Sequence, residues 1–130
     1  MLEARETLEC RLAALAATRR EEADLARIDA AVVFMASEVE ADELGVEGDA
    51  AFHGAVTAAA HNGVLAHLMA ALADQIAETR TESLREPGRP PRSLAAHRRI
   101  AAAIRAGDPR AAAAAMRRHL EEVADVGLLR

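Results

Sequence analysis

Apolar side chains recur every three or four residues along almost the whole chain, and this spacing restricts the fold to packed helices. Leu8, Leu12 and Leu15 show the spacing near the start, and Met116 and Val123 show it near the end. The composition agrees, because alanine is abundant and is the best helix former, whereas β-branched residues are sparse. We therefore predict an all-α fold without strands.

Interruptions of the spacing divide the chain into about six helices, which we expect to form an antiparallel bundle. The predicted helices cover about residues 2–18, 22–42, 48–60, 62–84, 94–106 and 109–127. Residues 86–93 are predicted to be a loop, since three prolines and a glycine cannot continue a helix, and Ser93 is predicted to cap the next one. Gly107-Asp108-Pro109 marks a sharp junction between helices.

Within the predicted fourth and sixth helices, the apolar spacing indicates which residues face the core. The inward residues are Leu65, Leu68, Met69, Leu72 and Ile76 in the fourth helix and Ala112, Met116, Val123 and Val126 in the sixth. Of the two remaining histidines, His61 lies at a break between helices and His67 falls off the stripe, and both are predicted to lie at the surface.

Chain length, net charge and cysteine content limit the classes of protein to which this chain can belong. A chain of 130 residues suits one domain, and a net charge of −5 gives no support for direct nucleic-acid binding. A single cysteine, Cys10, permits no internal disulfide and fits a cytoplasmic location; we interpret it as a small helix residue rather than a nucleophile. No apolar run is long enough to cross a membrane.

Four ionisable residues stand at positions where aliphatic residues are expected. Asp49 and His53 lie four residues apart, so a helix brings them to one face, and Phe52 lies beside that face. His97 and His119 interrupt the apolar stripes of the fifth and sixth predicted helices. Asp49 also has a simpler interpretation as a helix N-cap.

Burying these four groups without partners would cost several kcal/mol each, and one bound metal ion would satisfy all of them. Imidazole and carboxylate ligands suit Zn, Ni, Mn, Fe or Co, with Zn as our first choice. If the ion is five- or six-coordinate, one or two positions stay open to an anionic ligand.

Two further residues have a structural and a functional interpretation. Arg5 lies on the apolar stripe of the first helix, where it either extends to solvent or points into a cavity as an anion clamp, with Glu9 as an ion-pair partner one turn on. Asn62 either caps the next helix or contributes to a ligand site.

Several motifs, in order, resemble the FCD domain, the FadR C-terminal domain of GntR-family transcription regulators. The opening Leu2-Glu-Ala-Arg5 with Leu8-Glu9 is similar to the start of that domain, and Asp49-x-x-Phe52-His53 is similar to its D-x-x-F-H motif. The segment from His97 to Pro109 resembles H-x-x-I-x-x-A-I-x-x-G-D-P, and Met116 to Leu120 resembles the closing M-x-x-H-L.

The resemblance implies a helical bundle that senses a small effector, typically an organic carboxylate, and that works as a homodimer. It further implies that Asp49, His53, His97 and His119 hold a divalent metal, with Arg5 and, less firmly, Asn62 at the ligand. We expect residues 1–130 to be one ligand-binding domain without the winged-helix DNA-binding domain of the family, so that DNA is bound only through that absent domain.

Two alternatives to a sensor remain open. A small metal-dependent enzyme would use the open metal position to activate water, but the inward stripes offer no general base beyond the ligands, so we predict a protein that is not an enzyme. In the other alternative, the metal is purely structural or absent, and mutual hydrogen bonds satisfy the four side chains.

Overall fold

The computed structural model describes residues 1–128, with side chains for residues 1–124, and in this range it contains seven helices and no strand. The first helix, α1, spans residues 2–19 and joins Leu2–Arg5, a π-helical turn Glu6–Cys10 and Arg11–Arg19. The others are α2 Glu22–Glu40, α3 Val46–Ala59, α4 Gly63–Ala71, α5 Ala73–Leu84, α6 Arg89–Arg105 and α7 Pro109–Leu128. The all-α prediction is confirmed.

The core lies where α1, α2, α3, α6 and α7 meet. α1 packs against α3, α6 and α7, while α2 packs against α3 and α6. Buried aliphatic and aromatic side chains fill the space between them, among them Ile28, Phe52, Ile100, Ile104 and Met116. α5 contacts α3, α6 and α7.

Two helices begin earlier than predicted. α3 begins at Val46, after Gly45 with a φ of 84°, so Asp49 lies inside the first turn and is not the N-cap. α6 begins at Arg89, after Gly88 with a φ of 77°, and Ser93 is a buried residue within the helix rather than its cap. Prolines are compatible with the first turn of a helix, where backbone N–H groups have no intrahelical partner.

The predicted fourth helix is two helices. The helical path breaks at Leu72, which has a φ of −101° and a ψ of 0° and separates α4 from α5. The apolar spacing continues across this break, so the sequence pattern does not reveal it. Leu68 was predicted to face inward but is 44% exposed, because α4 lies at the outside of the bundle. Val126 was also predicted to face inward, but its side chain lies outside the described residues.

Asp24 fixes the start of α2. Its carboxylate accepts a hydrogen bond from the backbone N–H of Glu21 at 2.9 Å and contacts His61 Nε2 at 2.6 Å and Arg27 Nη2 at 2.7 Å. Burial alone would raise the pKa of Asp24, but these partners outweigh it and lower the pKa to about 2. His61 itself is exposed, as is His67, which confirms the prediction that both lie at the surface.

Gly48 permits the close approach of α2 and α3. A Cβ at this position would lie 2.5 Å from Met35 Cα, and the backbone N–H of Gly48 donates to the buried Glu38 carboxylate at 2.7 Å. Since Gly48 precedes Asp49, this contact also sets the position of the first site residue.

We predict that Gly48→Ala lowers the free energy of unfolding by about 1–3 kcal/mol, because α2 and α3 must separate to admit the methyl group. Gly54→Ala in the same helix is the control: nothing lies within 4 Å of a Cβ there. The control should raise the free energy by about 0.5–1 kcal/mol through helix propensity. Urea unfolding of both variants measures the difference, and equal effects would contradict the close contact.

Candidate metal centre and its cavity

The four predicted metal ligands meet at the centre of the bundle. Asp49 and His53 project from α3, His97 from α6 and His119 from α7, and all four residues are at most 3% exposed. One ligand atom from each lies within 4.8 Å of the corresponding atom of every other. Residues far apart in sequence therefore form one group that could hold a metal ion.

Five of the six ring nitrogens in this group are buried without a hydrogen-bond partner. His97 Nε2 lies 3.1 Å and His53 Nε2 3.6 Å from Asp49 Oδ1, but neither contact has the alignment of a hydrogen bond. His119 Nδ1 is also buried without a partner. Mutual hydrogen bonds therefore do not satisfy the cluster, contrary to what a metal-free interpretation requires.

Ring packing holds the imidazoles in position. Phe52 stacks on the ring of His97 with centroids 4.1 Å apart and an interplanar angle of 9°. The rings of His53 and His119 each meet the ring of His97 nearly at right angles. Rings fixed in this way lose little entropy on binding an ion.

The donor set fits a first-row divalent metal. Ligands on one tetrahedral zinc ion at about 2.0–2.1 Å lie about 3.4 Å apart, and the four ligand atoms here all lie within 4.8 Å of one another, so the group would contract on binding an ion. Three neutral imidazoles and one carboxylate are ligands that zinc and its neighbours accept. Such an ion would supply a positive charge and open coordination positions at the base of the cavity.

The charges of the cluster match this role. Burial lowers the pKa of His97, although contact with Asp49 opposes the shift, and burial together with the neighbouring histidines lowers the pKa of His119 well below its ordinary value. Burial alone would raise the pKa of Asp49, but contacts with the histidines hold it well below its usual range. His97 and His119 as neutral imidazoles and Asp49 as an ionised carboxylate are in the forms that bind metal.

Glu9 connects this cluster to two arginines. Its carboxylate contacts Arg5 Nε at 2.6 Å, His53 Nδ1 at 2.8 Å and Arg80 Nη2 at 3.1 Å. The predicted pairing of Arg5 with Glu9 is present, and Arg5 is buried rather than extended to solvent. A carboxylate on the outer nitrogen of a histidine, as Glu9 is on His53, orients the inner nitrogen toward an ion.

A small cavity of about 10 Å³ adjoins the cluster. It is lined by Arg5, Asp49, Arg80, Ser83, Leu84, Ser93, His119 and Val123. The sequence analysis identified Arg5, Asp49 and His119 but not Arg80, Ser83 or Ser93. Arg80 and Ser83 lie on α5, where charged residues alternate with small ones and give no signal of an inward face.

Asn62 and Cys10 each had a structural and a functional interpretation, and their contacts suit the structural one. The Asn62 side chain accepts a hydrogen bond from the backbone N–H of Leu65 at 3.0 Å, which caps α4, and it does not line the cavity. Its role as a ligand contact stays a prediction. Cys10 is buried, and burial raises the pKa of its thiol to about 11, so the thiol stays protonated at neutral pH.

Among the described helices, none has both the length and the apolar content needed to cross a membrane.

Comparison with known proteins gives three concordant findings. The family model of the FCD domain matches residues 1–122, a range that includes all four predicted metal ligands. The HTH-type transcriptional regulator LutR of Bacillus subtilis (strain 168) is 42% identical over 132 residues, which cover 97% of this chain and 60% of the relative. A solved structure described as Streptococcus agalactiae GntR matches with a TM-score of 0.80 and 28% identity, covering 94% of this chain and 55% of that one. The chain thus spans little more than half the length of these relatives.

We predict that Zn²⁺ raises the melting temperature of metal-free protein, because an ion bound by the folded state alone stabilises it. His119→Ala removes one ligand and should abolish most of the rise, whereas His67→Ala, which removes an exposed histidine, should leave it intact. Differential scanning fluorimetry measures the shift. An equal rise in His119→Ala and wild type would contradict the assigned ligands.

The same zinc-induced rise is expected to shrink below about pH 6.5, where protons begin to compete with the ion for histidine nitrogens. Because burial lowers the pKa values of His97 and His119, these rings should resist protonation further than free histidine. A rise that already shrinks well above pH 6.5 would contradict ligation by these buried rings.

Proposed function

Because this chain belongs to the FCD domain family of GntR-type transcription regulators, we propose that it is a single effector-sensing domain that holds a divalent metal and binds a small carboxylate. The prediction that the chain is not an enzyme agrees with this family of regulators. The observation that carries the proposal is the buried group of three imidazoles and one carboxylate beside a cavity with a buried arginine.

Arg5 supports the proposed carboxylate ligand. Its Nε is paired with Glu9, but its Nη2 is buried without a hydrogen-bond partner and its side chain lines the cavity. A carboxylate that bridges this nitrogen and an open metal position would satisfy both. Charge-assisted hydrogen bonds of this kind are roughly twice as strong as neutral ones.

The regulatory consequence follows from the position of the ligands. The four metal ligands and Arg5 belong to α1, α3, α6 and α7, so a bound ion and effector would join four helices. An effector shifts the conformational equilibrium if it binds one arrangement of these helices better than another. In a longer protein, that shift would change DNA binding through a winged-helix domain. Because such a protein acts on DNA, we propose a cytoplasmic location.

We predict that metal-loaded wild type binds at least one acid from a panel running from formate to succinate, and that Arg5→Gln weakens this binding about tenfold or more. Isothermal titration calorimetry measures the affinity. Arg11→Gln, which removes an exposed arginine from the same helix, is the control and should bind as wild type does.

Nuclear magnetic resonance of the bound acid separates a sensor from an enzyme, since a sensor returns the acid unchanged. If no acid of the panel binds metal-loaded protein, the proposed ligand class is wrong. If the acid is converted, the sensor proposal gives way to the metal-dependent enzyme.

We also propose that the domain forms a homodimer through α4. This helix is apolar but has no buried residue, with Val64 73% and Leu68 44% exposed. Contiguous exposed apolar residues of this kind mark interaction surfaces. The homodimer expected from the family supplies an identical α4 as the partner.

We predict that Leu68→Glu converts a dimer to a monomer, because the introduced charges would be buried at the interface. Ala95→Glu, at an exposed position on α6, is the control and should leave the dimer intact. Light scattering coupled to size-exclusion chromatography measures the mass. A wild-type monomer at micromolar concentrations would contradict the interface.

A further inference from the structure

A second cavity lies where α2 ends and the chain turns into α3, and we call it the α2–α3 groove. Its volume is about 360 Å³, which falls within the ~300–1,000 Å³ of sites for small molecules. Its lining combines acidic with apolar side chains, among them Glu38, Glu43, Glu47, Phe34, Leu44 and Val46. None of these residues lines the cavity beside the metal centre, so the groove is a separate site.

Glu38 is a buried acidic residue of this groove that has no cationic partner. It is 8% exposed, and its Oε1 accepts a hydrogen bond from the backbone N–H of Gly48 at 2.7 Å. Among the residues with described side chains, no arginine or histidine forms an ion pair with Glu38. A buried charge is costly unless a partner compensates it, so the groove favours a cation.

The surroundings of the groove increase this preference. Between Arg27 and Arg80 the chain contains no arginine and no lysine. Glu43 and Glu47 are exposed and add negative charge, and Phe34 is 42% exposed. Because the face of an aromatic ring attracts cations and its body is apolar, this combination suits an organic cation with an apolar chain.

A single metal ion suits the groove less well than an extended cation. In the part of the chain with described side chains, three or more metal-ligating residues converge within 4.8 Å in two groups, and neither includes Glu38, Glu43 or Glu47. A hard metal ion needs several oxygens close around it. A molecule with two separated cationic ends can instead reach carboxylates that lie apart.

We propose that the α2–α3 groove binds a small aliphatic diamine. One ammonium group would pair with Glu38 and the other with Glu43 or Glu47, while the methylene chain would lie against Phe34. Ammonium donors and carboxylate acceptors form charge-assisted hydrogen bonds, which are roughly twice as strong as neutral ones. Since Glu47 belongs to the first turn of α3, as does Asp49, the bound amine would contact the helix end that positions the first metal ligand.

The test compares 1,4-diaminobutane with butylamine by calorimetry on the chain without added metal, at constant ionic strength. Wild type should bind the diamine about tenfold or more tightly, because its second ammonium group meets a second carboxylate. Glu38→Gln should weaken both amines about tenfold or more. The glutamine keeps an oxygen that can accept the hydrogen bond from Gly48, so the variant removes charge without removing this contact.

Two further variants keep the result clear. The double variant Glu43→Gln, Glu47→Gln should lower the affinity for the diamine toward that for butylamine while changing butylamine binding little. Because both positions are exposed, this variant carries the test if Glu38→Gln fails to fold by circular dichroism. Glu40→Gln is the control: it removes an exposed charge from the end of α2 that does not line the groove, and it should bind both amines as wild type does.

The outcomes either support the groove as an amine site or overturn it. Diamine binding that depends on Glu38, Glu43 and Glu47 but not on Glu40 supports it. Equal weakening by Glu40→Gln, or displacement of the diamine by an equal concentration of Mg²⁺, would show a general attraction of cations and overturn it, as would failure of wild type to bind the diamine. The measurement needs no metal, so neither result decides the function proposed for the metal centre.

Discussion

The centre of this bundle depends on mutual compensation of buried charges. Asp49 and Glu9 lie deep in the core as carboxylates, and each is held there by several partners: histidines for the first, two arginines and His53 for the second. Removing one partner of a buried ion pair costs about 3–5 kcal/mol, because the remaining charge stays buried. The helices that surround the site are therefore joined by electrostatics as well as by apolar packing.

Backbone features bring these groups together. The close approach at Gly48 places α3 against α2 and sets the position of Asp49. The π-helical turn of α1 contains Glu9, and such turns occur frequently at functional sites. The stack of Phe52 on His97 then connects the apolar core directly to the candidate ligand set. Core packing and ligand geometry are thus parts of one arrangement.

Much of this arrangement can be predicted from the sequence. The rest cannot, and each omission has a physical reason. Histidines on apolar stripes predicted the cluster, because helical spacing determines which face a residue occupies. Arg80 was not predicted, since its neighbours on α5 are polar and only tertiary contacts bring it to Glu9. The break at Leu72 was missed because apolar spacing continues through it, and the exposure of Leu68 depends on where α4 lies in the bundle.

The central claim is that Asp49, His53, His97 and His119 hold a divalent metal, and its most direct test is metal content. Mass spectrometry on protein purified without an affinity tag should find roughly one divalent ion per chain, as expected for a site of this composition. The double variant His97→Ala, His119→Ala should contain none. Wild type without metal, even after incubation with Zn²⁺, Ni²⁺ and Mn²⁺, would contradict the account.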